Sequence, residues 1–276
     1  APAGVSLVGR WVKMPSKRSD SDSNIGVQRY RQSGPERETA PVRCHDTHRG
    51  TPSGPNVLEL TVHIDVWSDM VCPWCYLGSR RLSAAIERVR GAHPEVELTV
   101  RWRAFELDPG APPEPQELRP VIDKKYGPGS FDNMTGRLVA LGAPEGIDYR
   151  FDIAQRVNTF DAHRLVAWSA TLDEGHAAQN RLVDAVFDAY FTLGADISDH
   201  ATLTRIAASV GLDADVAAEV LASDAYADEV RAEEAAARDR DLTGVPAVVI
   251  DDRLLVPGAQ EVDTFVRVLE KAASTA

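Results

Sequence analysis

Cysteine is scarce in this chain: three in 276 residues, too few for a disulfide framework, which excludes a small secreted scaffold held by bridges. Long apolar runs are missing as well. None approaches the roughly 18 residues that cross a bilayer. "VSLVG" near the start is too short for the core of an export signal, so no membrane role is expected and the cytoplasm is the default address. Positive charge is not in excess: the net charge of −12 argues against a nucleic-acid partner. No internal repeat is visible. At 43% hydrophobic and 26% charged, the composition is that of a globular protein long enough to bury a core.

The charge is unevenly spread. Residues 1–56 hold 9 Lys+Arg against 5 Asp+Glu, and residues 57–276 hold 21 against 37. The first segment is also rich in Ser, Gly, Pro and Arg ("KRSDSDSN", "RQSGPERETAP") and lacks a hydrophobic period. Such a segment buries too little surface to offset its ordering entropy, so a disordered leader is predicted over 1–56.

Structure is predicted from Val57. "LELTVHIDVW" reads as a strand, "YLGSRRLSAAIERVRG" as a helix with Leu82, Ala85, Ile86 and Val89 on one face and Gly91 as its stop, and "VELTVRWRAF" as a second strand. From Gln116 to about Asp241 the pattern is helical. Leu182, Val186, Ala189, Tyr190 and Leu193 share one face. Leu203, Ile206, Ala207 and Val210 share another, and Asp213 caps a helix carrying Val216, Val220 and Leu221. Residues 224–240 read as a helix with a mostly solvated face. "PAVVI" and "RLLVPG" flank Asp251-Asp252 as a hairpin, and a last helix places Val262, Phe265, Val266 and Leu269 inward. The fold class is therefore α/β, in four stretches: leader 1–56, a β–α–β part over 57–112, a helical insertion over 113–241 that forms a second domain, and a β–β–α part over 242–276 that re-enters the first sheet.

Two of the three cysteines stand in "VCPWCY", where strand gives way to helix. With Cys72 as N-cap, Pro73 falls at the first helical position, where its missing N–H costs nothing. The free N–H groups of Trp74 and Cys75 then point toward the Cys72 sulfur. These bonds and the helix dipole favour a thiolate, so a lowered Cys72 pKa is expected, with Cys75 more buried and less ionised. That asymmetry suits an attacking thiol at Cys72 and a resolving thiol at Cys75. Far downstream, "DLTGVPAVVI" puts Val245-Pro246 at the start of a strand. A cis bond there would free the Val245 backbone to pair with an extended substrate; local sequence leaves the isomer open.

Together, "WSDMVCPWCYLGSRRL", "RWRAFELDPG", "VNTFDAHRL", "DAYFTLGADISD", "GLD", "TGVPAVVI" and "VPGAQ" resemble the DsbA family of thioredoxin-fold oxidoreductases, most closely its FrnE-like branch. The resemblance covers about residues 60–272 and none of the leader. It implies a thioredoxin fold with a long helical insertion, Cys72 as nucleophile, Cys75 as resolving thiol and Val245-Pro246 as a cis-proline loop. It implies protein or small-molecule thiol and disulfide substrates, with glutathione among the partners, and no metal or organic cofactor; a monomer or a homodimer fits equally. Ala247 departs from the threonine that often follows the proline, and the extra C-terminal cysteine pair of some relatives is missing.

Other readings stand beside this one. Cys44 and His48 could join Cys72 and Cys75 in a zinc site, or the two thiols could be inert core residues. The 2-hydroxychromene-2-carboxylate isomerases and kappa-class glutathione transferases share the fold but typically carry serine at the position of Cys72, so both thiols favour disulfide chemistry. Pro73 and Trp74 are expected to meet substrate and tune the potential. His163, in a helix capped by Asn158 or Thr159, either packs inside the helical part or lies over Cys72, where it could support the thiolate or take a substrate proton. Asp69 is expected to be solvated and Asp65 to pair with Arg101 or Arg103; both are also candidate proton carriers for Cys75. Glu106 has no assigned role.

Overall fold

The computed structural model describes residues 28–29, 60–173 and 176–275. Cys44 and His48, and most of the expected disordered leader, lie outside them. Two leader residues are described: Gln28–Arg29 form a short strand, β1. This strand pairs antiparallel with the last strand of the sheet.

The predicted β–α–β unit is present. Strand β2 (Leu60–Ser68) leads to helix α1 (Pro73–Ala92) and strand β3 (Val96–Ala104), which lies parallel to β2 in register Leu60↔Val96. The helix runs past Gly91 to Ala92 before His93 closes it. Strands β6 (Ala247–Ile250) and β7 (Leu254–Pro257) return antiparallel, giving the sheet order β1-β7-β6-β2-β3. Asp251 and Asp252 take φ of 48° and 53°, the left-handed pair of a tight turn closed by the Arg253 N–H on the Ile250 carbonyl, within a three-residue connection between the paired Ile250 and Leu254. Helix α9 (Val262–Ala273) buries Phe265, Val268, Leu269 and Ala272. Val262 and Val266 are half-buried against the same core, and Val268 joins that face.

Between β3 and β6 run helices α2 (Leu118–Tyr126), α3 (Ser130–Gly142), α4 (Phe160–Ser169), α5 (Ala177–Phe191), α6 (His200–Ser209), α7 (Ala214–Ala222) and α8 (Ala227–Asp239). Two-residue strands β4 (Gln116–Glu117) and β5 (Gln155–Arg156) pair within this stretch, too short for any sequence period to reveal. The Asp213 side chain caps α7 as predicted, accepting from the Asp215 and Val216 N–H groups. Leu193 does not share the α5 face. The helix ends at Phe191, Gly194 turns the chain at φ 67°, and Leu193 is left 69% exposed. Val216 is likewise exposed, because Ala217, Val220 and Leu221 define the buried stripe of α7.

β3 is an edge strand, and helix side chains cover its free polar groups, as such edges require. Gln179 Oε1 accepts the Trp102 N–H at 2.8 Å and its Nε2 donates to the Trp102 carbonyl at 3.0 Å. Asn180 donates to the Val100 carbonyl, and Glu233 accepts the Ala104 N–H. Glu233 also pairs with Arg103 at 3.1 Å, while Val230, Glu234 and Ala237 are the buried residues of an α8 that otherwise stays exposed or half-buried. These bonds lock the helices between β3 and β6 onto the sheet beside the helix mouth of α1.

Candidate active site

The turn after β2 places both thiols. The Cys72 N–H donates to the Asp69 carbonyl at 3.0 Å, and the Cys72 carbonyl accepts from the Cys75 and Tyr76 N–H groups at 3.0 and 3.2 Å. Cys72 is thus the N-cap of α1 in an extended conformation, with Pro73 at the first helical position. Both cysteines are free and buried, Cys72 at 3% exposure and Cys75 at 0%. Across from them the Val245-Pro246 peptide is cis. Cys72 Sγ lies 3.8 Å from the Val245 carbonyl oxygen, so residues 173 positions apart face each other. Gly78 makes this approach possible, since a Cβ there would stand 3.1 Å from Pro246 Cγ.

The expected depression of the Cys72 pKa is corrected. Burial pushes the thiol well up, and the hydrogen bond and charge of Cys75, with the Asp69 carboxylate, push the same way; only the Cys75 N–H pulls down. That N–H does not close a full capping bond on the sulfur. The helix mouth is real, but in the reduced protein with its walls closed, desolvation outweighs it.

Asp69 is fully buried, not solvated. Its Oδ2 accepts the Leu107 N–H at 2.6 Å, and its Oδ1 faces His163 Nε2 at 3.5 Å, an ion-pair distance without a closed hydrogen bond. His163 is 2% exposed, so it does not lie open to substrate; its partner is Asp69, one turn ahead of Cys72. Burial alone lowers the imidazole pKa, and Asp69, then Glu106 and Glu234, outweigh it and raise it. Burial and a hydrogen bond with Glu234 push Glu106 up from 4.5 to about 7, against the opposing charge of His163 and the bond from Arg231. Arg231 meets Glu106 at 2.7 Å and Glu234 at 2.9 Å. Asp65, by contrast, pairs with Arg103 at 2.7 Å on the strand face. Asn158 Oδ1 accepts the Phe160 N–H ahead of α4, while Thr159 occupies the cap position without a side-chain bond.

Two further residues had no signal in the sequence. The Tyr149 hydroxyl donates to the Pro73 carbonyl at 2.5 Å, and burial, then the nearby Cys72, raise its pKa. Gly142 clears space for that ring: a Cβ there would meet Tyr149 Cε2 at 2.5 Å. Pro73 and the half-buried Trp74 form one wall of a pocket of about 230 Å³, closed by Leu118, Ile122, Phe131, Leu138 and Phe151. Arg137 reaches over the Trp74 ring, its guanidinium carbon 5.6 Å from the centroid. Among the described residues no group of three or more His, Cys, Asp or Glu is placed to hold a metal, and no helix is long and apolar enough to cross a membrane.

Comparison with known proteins matches residues 63–270 to the DSBA-like thioredoxin domain. The uncharacterized protein YwbO of Bacillus subtilis is 34% identical over 220 residues, 78% of this chain and 97% of its own. The crystal structure of a probable DsbA oxidoreductase from Streptomyces coelicolor is 34% identical and superposes with a TM-score of 0.68, covering 78% of this chain and 91% of that one. The cytosolic disulfide reductase DsbM from Pseudomonas aeruginosa shares the fold at 22% identity and a TM-score of 0.55, covering 79% of this chain and 100% of its own.

Proposed function

The chain belongs to the DsbA-like thioredoxin family, and from that premise we propose that it is a thiol–disulfide oxidoreductase or isomerase of the FrnE-like branch, working in the cytoplasm through Cys72 and Cys75. One observation carries the reading. A free thiol at the mouth of α1 lies 3.8 Å from the backbone of a cis X-Pro segment, with a second free thiol three residues further into the helix. The second thiol supports dithiol exchange over a glutathione-dependent isomerase or transferase, which needs only one residue at this position.

In the proposed reaction a substrate disulfide enters beside Val245 and displaces its contact with Cys72. Burial holds the thiol protonated at rest, so attack requires the proton to leave as substrate arrives. The Cys72 sulfur attacks one substrate sulfur, and the other departs as a thiolate that takes up a proton. Cys75 then attacks Cys72 Sγ, releasing the second substrate thiol and leaving a Cys72–Cys75 disulfide. Two electrons and two protons have passed to the substrate. The reverse sequence oxidises a dithiol, and return from the mixed disulfide to a different pairing isomerises. The exchange balances on sulfur alone and needs no metal or organic cofactor.

Pro73, Trp74, Val245 and Pro246 line the approach and are proposed to contact substrate, a thiol or disulfide of a protein or small molecule; glutathione is a suitable recycling thiol. His163 is proposed as a positioning residue acting through Asp69. In this reading residues 57–112 and 242–276 carry the thiols and the proline loop, while the insertion 113–241 supplies the wall facing Trp74.

The test is disulfide reduction and isomerisation by the purified chain. Cys72→Ser abolishes both, and Cys75→Ser accumulates a mixed disulfide visible by mass. Full activity in Cys72→Ser overturns the reading. The Cys72/Cys75 potential then sets the direction, about −120 mV marking an oxidant and about −270 mV a reductant.

A further inference from the structure

The pocket beside Trp74 is walled by Pro73 and Trp74, the two residues between the thiols, and the role argued for it rests on Cys72 and Cys75 being the exchanging thiols proposed above. Its walls are apolar and aromatic: Trp74, Phe131 and Phe151 with Leu138. At about 230 Å³ it is below the usual size of a drug-like site and suits one substituted ring. Arg137 stands at its rim over Trp74. Among the described residues no carboxylate pairs with Arg137. Its neighbour Arg119, over the Phe131 ring at 4.3 Å, is by contrast held by Asp132 at 2.8 Å. In a body with 37 acidic residues to 21 basic ones, an unpaired guanidinium at an aromatic pocket is positioned for an incoming anion. Its planar fork matches a carboxylate.

We propose that this pocket takes the ring of a low-molecular-weight aryl disulfide or aryl thiol bearing a carboxylate. The carboxylate sits on Arg137, the ring lies against Trp74, and the sulfur is presented to Cys72. With a symmetric aryl disulfide the Cys72 sulfur displaces one aryl thiolate and forms a mixed disulfide. Cys75 then displaces the second, so one disulfide is reduced to two aryl thiols while the protein dithiol is oxidised.

The experiment compares three disulfides on the reduced protein. These are 5,5′-dithiobis(2-nitrobenzoate), which carries carboxylates; 4,4′-dithiodipyridine, an uncharged aryl disulfide; and hydroxyethyl disulfide, small and without a ring. Stopped-flow rates at rising concentration should saturate for the carboxylate probe. Arg137→Gln should cut the carboxylate-to-neutral rate ratio about tenfold, and Arg137→Lys should recover part of it. The change should persist in about 0.5 M salt, where fields from distant charges are screened. Thr135→Trp, which fills the pocket, should slow both aryl probes more than hydroxyethyl disulfide. The proposal is overturned if Arg137→Gln leaves the ratio unchanged or its effect vanishes in salt. It is equally overturned if a disulfide-linked peptide with phenylalanine beside its cysteine outcompetes the carboxylate probe, which assigns the pocket to protein substrates. Failure of the wild-type chain to exchange with hydroxyethyl disulfide sinks the exchange reading itself, a result distinct from any of these.

Discussion

His163 Nε2 stands 3.5 Å from Asp69 Oδ1, and both side chains are almost wholly withdrawn from water. The pair joins α4 to the turn that carries Cys72. Removing one member of a buried ion pair strands the other, at roughly 3–5 kcal/mol. His163→Ala should therefore lower the unfolding free energy by about that amount in urea, and His163→Ala with Asp69→Asn should cost less than the two changes summed. Additive single effects would show that the two groups do not interact.

Stability should fall as pH rises through the neutral range. Glu106 is raised to about 7 from 4.5, so the folded protein holds its proton where the unfolded chain has lost it. Its contribution is present at low pH and disappears between about 4.5 and 7. His163 is also raised; its contribution is complete below the unfolded imidazole pKa and is lost as pH climbs through the folded value. Both slopes have the same sign. Urea midpoints from pH 5 to about 8 should decline, and Glu106→Gln should flatten the lower half of that window. A midpoint rising with pH in Glu106→Gln and wild type alike would contradict the assignment.

The reduced Cys72 thiol should titrate above an ordinary cysteine. Burial is the main cause, and the Asp69 charge adds to it. Iodoacetamide labelling of Cys72, followed by mass, should still accelerate above about pH 8.5. Asp69→Asn should move the curve to lower pH, because it removes a negative neighbour. An inflection in the acid range would instead mean that the helix mouth dominates.

Gly142→Ala should be more damaging than Tyr149→Phe. The hydroxyl deletion loses one hydrogen bond to the Pro73 carbonyl, at a net cost of about 1 kcal/mol. A Cβ at residue 142 lands 2.5 Å from the Tyr149 ring, and overpacking of that kind costs roughly 1–3 kcal/mol. Urea unfolding ranks the two, and the same variants assayed for disulfide exchange report whether Tyr149 also steadies the helix mouth. Equal stability of Gly142→Ala and wild type would show that the ring shifts freely.

Local rules were enough for much of this protein. The β-branched run of β2, the proline one residue after Cys72 and the apolar stripe of α1 put the thiol at a helix mouth from sequence alone. Asp213 as a cap and Asp251-Asp252 as a turn were legible for the same reason: each acts on backbone within a few residues. The family motifs added Val245-Pro246 as the opposite wall. What the sequence could not determine was set by packing between distant segments. The direction of the Cys72 pKa depends on how deeply the folded chain buries it, with Val245 from far downstream against its sulfur, and that burial reversed the local expectation. Asp69 reads as a turn residue until α4 brings His163 onto it, and Leu193 reads as core until α5 ends two residues before it. The pocket under Arg137 has no linear signature, because its walls come from α1, α2, α3 and the Phe151 turn. Capping and periodicity are properties of neighbours along the chain, whereas desolvation and ion pairing depend on which distant surfaces close over a group.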